Sequence, residues 1–487
     1  PPFSQPFPAS KDFSPRKFNN QDFNHLRDFC LSRGLLFEDD TFPAHISSIG
    51  PSLLSANKLS HLQWKRPTVS SPGGFQEDPH LIVDGIHRFD IVQGEIGDCW
   101  VLSALGALTL RRQFLENVLP KDQGFKHNYA GIFHFRFWHF GDWVDVVIDD
   151  QLPFLNGRYL SVQPRSRNEF WPSLLEKAYA KLRGSYQNLH WGYISDALVD
   201  FTGGVQVQFL LQKPPSDLQE IVKAAAKSQT LMGCTTPGGV TVGNVELKNG
   251  LVKGHAYTVT GATEVPYKNG WENIIRVWNP WGHGEWKGPW SDGSPQWDRI
   301  PIEYKKELCD NKDDGEFWMS CQDFAVQFSS LYICNNTPSF LDFGDRYNTP
   351  WHMAMYVNQW VRGLTAGGSN YFNGDVGIED CHGIINNFLQ FQVLKDRLPV
   401  AFFSQYKSKV LKYGFTMLTR DVTSYFFLSP GTYVVVPATS EEDQEAEFLL
   451  RIFLRSGQTC CIDPLISLAM STLGNLSRLW GELTKST

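Results

Sequence analysis

Four residues in this chain have the types and order that nucleophilic acyl transfer needs. Cys99 lies in the segment QGEIGDCWVLSALGALTL, His255 in GHAYTVTG and Asn279 in IIRVWNPWG. A thiolate can attack a carbonyl carbon, a histidine can take and return the proton, and an amide can hold the imidazole in one tautomer. Gln93 precedes Cys99 in the same segment and can donate an amide N–H to the oxyanion. The pattern predicts Cys-His-Asn chemistry.

These residues need elements that bring them together. The apolar spacing after Cys99 predicts a helix that begins at the thiol. Because the positive end of a helix dipole favours a thiolate, we expect the pKa of Cys99 to be lowered toward neutrality. His255 and Asn279 stand at the ends of short strand-like runs, with glycines that allow close approach. A helical region carrying Cys99 should therefore face a mostly β region that carries the other two.

Further patterns outline the rest of the chain. EFWPSLLEKAYAKL has apolar residues three and four apart and predicts a second helix, whereas the alternating run in GIFHFRFWHFGDWVDVVIDD predicts a hairpin that turns at Gly141-Asp142. A helical pattern also covers 216–227. The runs FLQFQVL and FLLRIFL, separated by turn residues, predict a β-sandwich. Apolar residues between Leu465 and Trp480 predict an amphipathic helix near the end.

These patterns divide the chain into five regions. They are a flexible N-terminal arm (1–21), a helical first lobe that carries Cys99 (22–202), a mostly β second lobe that carries His255 and Asn279 (203–337), a β-sandwich (338–457) and a C-terminal tail (458–487). Gly203-Gly204, at the boundary between the lobes, is the predicted hinge.

Composition narrows the class of protein. The 487 residues carry a formal net charge of −7, so we expect no nucleic-acid partner, which would need a basic surface. The nine cysteines form no C-x-x-C pair, and their odd number predicts free thiols in a reducing compartment. The polar beginning lacks the apolar core of a signal peptide, and no apolar run is long enough for a membrane span. We therefore expect a cytoplasmic protein.

Several long segments resemble those of one protease family. QGEIGDCW, GHAYTVTG and NPWGHGEWKGPWSD are similar to the active-site signatures of calpains, the calcium-dependent cysteine proteases. EFWPSLLEKAYAKLRGSY, DGEFWMSCQDF, the TAGG at 365–368 and PGTYVVVP also resemble calpain stretches, and the likeness extends from residue 22 to residue 456. The resemblance implies an α+β fold, with a two-lobed papain-like cysteine protease core followed by a C2-like β-sandwich.

The same resemblance implies an activity and a role for each residue. The activity is that of a calcium-activated cysteine endopeptidase making limited cuts in protein substrates. Cys99 would be the nucleophile, His255 the base, Asn279 its orienting partner and Gln93 the oxyanion-hole amide. Trp281 matches a tryptophan that wedges between the lobes when calcium is absent.

Calcium is the cofactor that the resemblance implies, at two sites built from carboxylates and carbonyls. The first would use the backbone carbonyls of Val83 and Gly85 with the side chains of Asp90 and Glu176. The second would use the side chains of Glu285, Asp292, Asp314 and Glu316 with the carbonyl of Lys312. Binding would bring the lobes together by population shift.

Alternatives stay open at this point. A catalytically silent calcium-binding scaffold could keep the protease fold, and transglutaminases or deubiquitinases also use cysteine and histidine for acyl transfer. After the sandwich the sequence departs from conventional calpains, because Cys460-Cys461 and an amphipathic stretch stand where a penta-EF-hand domain would follow. We therefore expect no dimerisation through EF-hands. A weak calcium-dependent association with membranes is a further option.

Overall fold

The computed structural model describes most of the first 338 residues and the strands that follow them. The described residues are 14–68, 78–165, 168–228, 230–238, 245–338, 351–362, 389–395, 411–413, 420, 423, 433–439 and 444–455. They fall into two compact units, one spanning Ser14–Tyr347 and the other containing the strands after Asn348. The amphipathic helix predicted between Leu465 and Trp480, like the whole tail 458–487, lies outside the described residues.

Helices and strands alternate along the first unit, and strands make up the second. The α-helices are α1 (Phe23–Arg33), α2 (Ile46–Ile49), α3 (Ala56–Ser60), α4 (Cys99–Thr109), α5 (Arg112–Val118), α6 (Trp171–Leu182), α7 (Ile194–Thr202), α8 (Leu218–Lys227), α9 (Ile302–Leu308) and α10 (Cys321–Gln327). The strands of the first unit are β1 (Arg16–Lys17), β2 (Gln63–Lys65), β3 (Ile91–Val92), β4 (Ile132–His139), β5 (Asp142–Asp149), β6 (Leu152–Leu155), β7 (Arg158–Tyr159), β8 (Gln163–Pro164), β9 (Val205–Leu210), β10 (Leu231–Thr235), β11 (Ala256–Tyr267), β12 (Gly270–Trp278), β13 (Glu316–Ser320) and β14 (Ser330–Asn335). Those of the second are β15 (Trp351–Trp360), β16 (Leu389–Lys395), β17 (Leu411–Tyr413), β18 (Tyr433–Thr439) and β19 (Ala446–Arg455).

The helix predicted after Cys99 is confirmed as α4 and is the centre of the first lobe. It begins at Cys99, and the carbonyl of Asp98 accepts hydrogen bonds from the N–H groups of Val101 (2.8 Å) and Leu102 (3.1 Å). Every residue from 100 to 108 is buried, so the helix has no solvent-facing side over that stretch. The helix predicted from EFWPSLLEKAYAKL is likewise confirmed as α6, and all of its residues are buried.

The predicted hairpin is confirmed, with its turn one residue earlier than expected. Strands β4 and β5 pair antiparallel up to His139 and Asp142. The two loop residues are therefore Phe140 and Gly141, whose φ angles of 48° and 91° give the left-handed turn that suits a two-residue hairpin. Asp142 is the first strand residue because it pairs with His139.

One part of the predicted flexible arm 1–21 is ordered, which corrects that expectation. Arg16 and Lys17 form β1, a parallel edge strand opposite Val144 and Asp145 of β5. An edge strand leaves backbone N–H and C=O groups unpaired, and a short added strand satisfies them even where the sequence has no apolar period. Residues 1–13 of the arm lie outside the described residues.

The second lobe is built on an antiparallel sheet of six strands. Its strand order is β13-β12-β11-β10-β14-β9, and α8, which confirms the helical pattern at 216–227, packs its apolar side into the same core. The pairing of β11 with β12 contains a β-bulge: Val259 lies opposite Val277 and Gly261 opposite Arg276, so Thr260 is an extra residue. His255 directly precedes β11, and Asn279 directly follows β12.

The two lobes meet where α4 packs against β11 and β12. A Cβ on Gly106 would lie 2.6 Å from Cζ3 of Trp278 and 2.7 Å from Oγ1 of Thr258, so the close approach requires glycine there. Thr258 Oγ1 also donates a hydrogen bond to the carbonyl of Ser103 (2.6 Å). The helix that begins at Cys99 is thereby held directly against the sheet that carries its predicted partners.

The predicted hinge glycines are closely packed. Gly203 ends α7 with a left-handed φ of 65°, and a Cβ on Gly204 would lie 2.4 Å from the carbonyl oxygen of Asn335 in β14. Both positions therefore need glycine for geometric reasons. The hinge role stays a prediction.

In the second unit the described strands are antiparallel. β15 pairs with β19, and β16 pairs with both β17 and β18. The predicted runs FLQFQVL and FLLRIFL correspond to β16 and β19. Trp360 and Phe448 stack with ring centroids 4.3 Å apart in a small apolar cluster. Among the described helices of the whole chain, none has the length and apolar character needed to cross a bilayer.

Candidate active site

Cys99 occupies the first residue of α4, where the sequence predicted the nucleophile. Its thiol lies against the backbone N–H of Ala256, the residue that follows His255. Burial raises the pKa of the Cys99 thiol to about 12, and the nearby Asp98 carboxyl adds to this, whereas the Ala256 N–H opposes it. The expected lowering of the pKa toward neutrality is therefore wrong for this arrangement, because loss of solvent outweighs the helix terminus.

His255 is fixed by its backbone as well as by its ring. Its N–H donates to Thr236 Oγ1 (2.9 Å), and its carbonyl accepts from the Thr236 N–H (3.0 Å). The Thr236 hydroxyl in turn donates to the carbonyl of Val252 (2.6 Å). The side chain is buried, and burial lowers the pKa of His255 to about 4, although the hydrogen bond with Asn279 opposes this shift. The imidazole is therefore neutral at neutral pH.

Asn279 orients this imidazole. Its Nδ2 donates to the carbonyls of His283 (2.9 Å) and Gly284 (3.0 Å), so its Oδ1 must be the atom that faces His255 Nε2 at 2.9 Å. Nε2 therefore carries the proton, and Nδ1 is the nitrogen left to act as base. Trp281 lies on the same side, with its ring centroid 5.1 Å from that of His255. Its predicted wedge role stays a prediction.

Cys99 lies next to the residue that follows His255, but its thiol is not hydrogen-bonded to the His255–Asn279 pair. No hydrogen bond links the Cys99 thiol to the His255 ring in the part of the chain that the structure describes. Both groups are uncharged at neutral pH, because burial raises the pKa of the thiol and lowers the pKa of the imidazole. The arrangement is that of a resting site.

Gln93 sits at the boundary of the two lobes. Its backbone N–H donates to the carbonyl of Pro280 in the second lobe (3.1 Å). Its Nε2 donates to the carbonyl of Ile96 (2.9 Å), which holds the amide on the loop before Cys99. Its Oε1 is buried and has no hydrogen-bond partner among the described residues. The second N–H of the amide forms no hydrogen bond with a described residue.

The first predicted calcium site is only partly assembled as expected. Asp90 accepts from the His87 N–H (2.7 Å) and from Trp171 Nε1 (3.3 Å), and the Val83 N–H donates to Glu169 Oε1 (2.8 Å). Gly85 lies in the loop between them, with a left-handed φ of 102°.

The assignment of Glu176 to this site is not supported by its contacts. Glu176 is buried within α6, where Oε2 accepts from the Val162 N–H (2.9 Å) and the carboxyl group meets that of Asp98. Glu169 lies beside the Val83 loop instead. Pro172 at the first turn of α6 indicates where the helix begins, so it places Glu169 before the helix and Glu176 inside it, but it does not report that Glu176 is buried.

The second predicted site brings its acids close together. Glu285 Oε1 accepts from the N–H groups of Asp314 (3.1 Å) and Gly315 (2.9 Å), and Asp292 Oδ2 is buried without a partner among the described residues. Burial raises the pKa of Glu285 to about 7 and that of Asp292 to about 6, and neighbouring carboxylates add to both shifts. The backbone at Lys312 also contacts Asp292.

Glu316 lies beside Asp314 and Asp292 and also pairs with the first lobe, and its role as a calcium ligand stays a prediction. Arg88 Nε and Nη2 donate to its two carboxylate oxygens at 3.0 and 2.5 Å, and Thr260 Oγ1 donates to Oε1 at 2.7 Å. This bidentate pair crosses from the first lobe to the second. Over the described ranges, no three histidine, cysteine or acidic side chains are arranged to hold a metal ion as they stand.

Sequence reasoning missed three contributors to this site. They are the Ala256 N–H at the thiol, Thr236 behind His255 and the Asp98 carboxyl group next to the nucleophile. The first two act through contacts between residues far apart in the sequence, which no local pattern reports. Asp98 was visible as an acid beside Cys99, but its burial was not.

The chain is similar in sequence to several known proteins. Residues 37–335 match the calpain family cysteine protease domain, and residues 382–453 match domain III of the calpain large subunit. Calpain-13 from Rattus norvegicus is 49% identical over 477 residues, which cover 92% of this chain and 70% of that protein. Calpain-9 from Rattus norvegicus is 39% identical over 491 residues (92% and 69%), and the calpain-1 catalytic subunit from Mus musculus is 39% identical over 491 residues (90% and 67%).

These matches confirm the predicted α+β architecture of a papain-like protease core followed by a C2-like β-sandwich. They span both lobes and include the segments that carry Cys99, His255 and Asn279. The chain belongs to the calpain family of cysteine proteases.

Proposed function

We propose that this chain is a calcium-activated cysteine endopeptidase that cuts protein substrates through Cys99, His255 and Asn279. The observation that carries the proposal is the hydrogen bond between His255 Nε2 and Asn279 Oδ1 (2.9 Å), placed beside a thiol that contacts the Ala256 N–H. Family membership favours peptide hydrolysis over the transglutaminase and deubiquitinase alternatives.

The reaction uses the imidazole nitrogen that Asn279 leaves available. His255 Nδ1 takes the Cys99 proton as Sγ bonds to the substrate carbonyl carbon, and the oxyanion receives N–H groups from Gln93 Nε2 and the Cys99 backbone. The carbon–nitrogen bond then breaks, and His255 gives the proton to the leaving amine, which leaves a thioester on Cys99. Water attacks the thioester with His255 as base, and the thiol and a carboxylic acid are released.

Calcium activation rests on the fit between the acids and a hard cation. Asp292 Oδ2 is buried without a partner, and crowding with neighbouring carboxylates raises the pKa of Glu285 and of Asp292 further than burial alone. Glu285, Asp292 and Asp314 with the Lys312 carbonyl would hold one ion, and Asp90 and Glu169 with the carbonyls of Val83 and Gly85 would hold another. A bound ion supplies positive charge that stabilises these carboxylates in one arrangement of the lobes.

The test measures hydrolysis of an unfolded protein such as casein and labelling by an epoxysuccinyl probe, each in chelator and in calcium. We expect both signals only in calcium, and Cys99→Ser should abolish both. Equal turnover in chelator and calcium would overturn calcium activation. Labelling of Cys99→Ser would overturn the assignment of the nucleophile.

A catalytically silent calcium-binding scaffold is the second candidate. It is favoured by the uncharged resting pair, since neither the Cys99 thiol nor the His255 imidazole is ionised at neutral pH. Calcium binding to intact protein, with no probe labelling at any calcium concentration, would support it over the protease. A cytoplasmic location and weak calcium-dependent membrane association are proposals too, tested by cell fractionation with and without chelator.

A further inference from the structure

Two acids are buried directly behind the nucleophile and have no cation beside them. Asp98 precedes Cys99, and Glu176 reaches it from α6; both side chains are almost fully buried, at 0% and 1% exposure. Neither carboxyl group forms an ion pair with a lysine, arginine or histidine of the described ranges. Such isolation is unusual, because a buried charge is normally paired.

Most oxygens of the two carboxyl groups accept no hydrogen bond from the described part of the chain, so a proton could lie between the groups. Glu176 Oε2 accepts from the Val162 N–H (2.9 Å), whereas Glu176 Oε1 and both oxygens of Asp98 receive no hydrogen bond from a described residue. Asp98 does not cap α4 with its side chain, although it stands at the N-cap position. The carboxyl groups meet each other instead. Two carboxylates in contact, with three oxygens unsatisfied, fit a hydrogen bond that needs a proton of its own.

Two hydroxyl groups also stand near the pair. The Ser161 hydroxyl is within reach of the Glu176 carboxyl group, and the Tyr186 hydroxyl lies close by. Neither donates to Asp98, so the contact between the Asp98 and Glu176 carboxyl groups still needs a proton of its own. Asp149, the next acid, is already paired with Lys177 at 2.6 Å. On the other side of Asp98 stands Cys99 itself.

We propose that Asp98 and Glu176 share a single proton, and that the resulting singly charged pair is a positioning element for Cys99, tying the start of α4 to α6 and setting the charge that the thiolate meets. The inference rests on the proposed role of Cys99 as nucleophile. Burial, together with the neighbouring Glu176, raises the pKa of Asp98 well above its ordinary value, and burial raises that of Glu176, in agreement with a pair that keeps one proton at neutral pH.

A negative charge on Asp98 makes the Cys99 thiol harder to ionise. The Asp98 carboxyl group raises the pKa of Cys99 beyond the larger effect of burial. The Ala256 N–H also contacts the thiol, and the buried Tyr257 phenol is a further titratable group near it. Among the described residues Asp98 is the carboxyl group that acts on Cys99. A pair whose negative charge lies on Asp98 would therefore suppress formation of the Cys99 thiolate. The suppression would be weaker if the charge lay on Glu176, which is not among the groups acting on the thiol.

The test follows iodoacetamide alkylation of Cys99 against pH in the full-length chain, in chelator, with the modified peptide quantified by mass spectrometry. Asp98→Asn should move the alkylation midpoint downward by about one unit, equivalent to about tenfold more thiolate at a given pH. Glu176→Gln should leave the midpoint in place, because the Gln amide can donate to a charged Asp98 in place of the shared proton. Thermal unfolding of each variant checks that it is folded.

Other patterns would overturn the inference. An equal downward shift in both variants would mean that both carboxyl groups are charged, and no shift in either would mean that both are neutral. If Asp98→Asn does not fold, the infrared spectrum of the wild type minus Glu176→Gln at neutral pH should contain the carbonyl band of a buried protonated carboxyl group, and its absence would overturn the inference. The expected alkylation pattern in a chain that cleaves nothing would count against the proposed function alone.

Discussion

Thr236 is a neutral residue that holds the backbone of the proposed base, His255. Its hydroxyl accepts from the His255 N–H and donates to the Val252 carbonyl, so one side chain fixes the backbone at His255 and three residues before it. Because the imidazole is already oriented by Asn279, Thr236 holds the ring in place through the main chain. The effect of its loss should therefore fall on turnover more than on substrate binding.

Replacing Thr236 with valine keeps the shape and removes both hydrogen bonds. We expect kcat to fall by about tenfold with KM little changed, and the free energy of unfolding to fall by about 1–3 kcal/mol, because two buried backbone groups lose their partner. Steady-state kinetics and denaturant unfolding measure the two effects. Thr235→Val is the matched control, since the Thr235 hydroxyl contacts Ser329 and not His255. An equal loss of kcat in the control would contradict the role given to Thr236.

His255 also predicts how stability varies with pH. Burial lowers its pKa to about 4 in the folded chain from 6.5, the ordinary value. The unfolded chain therefore binds an extra proton between those values, so this contribution to stability is fully present above pH 6.5 and is lost as the pH falls toward 4. The difference in unfolding free energy between wild type and His255→Gln should shift by about 3 kcal/mol across that range. A difference independent of pH would contradict the buried neutral imidazole.

At the scale of elements, the contact between α4 and the six-stranded sheet sets the distance between nucleophile and base. Gly106 permits that contact, because a side chain there would collide with Trp278 and Thr258. Helix propensity alone favours alanine over glycine by about 1 kcal/mol. Packing favours glycine, and this effect is larger. The atoms that a Cβ would meet belong to Thr258 and Trp278, which are paired in the buried sheet and cannot easily move away.

Gly106→Ala should therefore lower both stability and activity. We expect a lower melting temperature and a fall in kcat/KM of about a hundredfold, because a displacement of α4 by about 1 Å misplaces the thiol. Thermal unfolding and peptide hydrolysis in calcium provide the measurements. Gly124→Ala is the control, since no atom lies within 4 Å of the Cβ that it would add. A stabilised, fully active Gly106→Ala would show that propensity outweighs packing.

Much of this arrangement could be predicted from the sequence, and the failures have physical causes. The helices beginning near Cys99 and Trp171 were visible because apolar residues recur at helical spacing, and the pairing of His255 with Asn279 could be expected from their types and their order. The pKa of Cys99 was predicted in the wrong direction, because burial depends on tertiary packing. Glu176 was assigned to calcium for the same reason: a single sequence does not separate a buried acid from one in a loop.

At the scale of the whole molecule, an ion pair between described residues connects the two lobes of the protease unit. Arg88 lies in a short 3-10 helix directly before β3 in the first lobe, and Glu316 begins β13 of the second lobe. Each side chain is 13% exposed, so solvent screens the pair less than it screens pairs on the surface. Because Glu316 also accepts from Thr260, it is tied to the centre of the sheet.

A double-mutant cycle on Arg88→Leu and Glu316→Gln should measure this connection. We expect a coupling free energy of about 1–3 kcal/mol in the unfolding of the protease unit, in line with other close, partly buried charge pairs. The surface pair of Arg112 and Glu116 gives the comparison, with side chains 85% and 41% exposed and an expected coupling below about 0.5 kcal/mol. Equal coupling in the two cycles would contradict a structural role for the Arg88 contact.

The bulge at Thr260 restricts which residues of β11 can be deleted without changing the faces of the strand. Side chains along a strand alternate between faces, and the extra residue puts Ala256–Val259 and the stretch after Gly261 out of phase with one another. Deleting a residue of β11 on either side of Thr260 would turn part of the strand over, so that residues now in the core would face outward. Deleting Thr260 itself would leave a regular ladder without the bulge. The spacing from His255 to Asn279 should therefore be preserved more strictly than the residues that fill it.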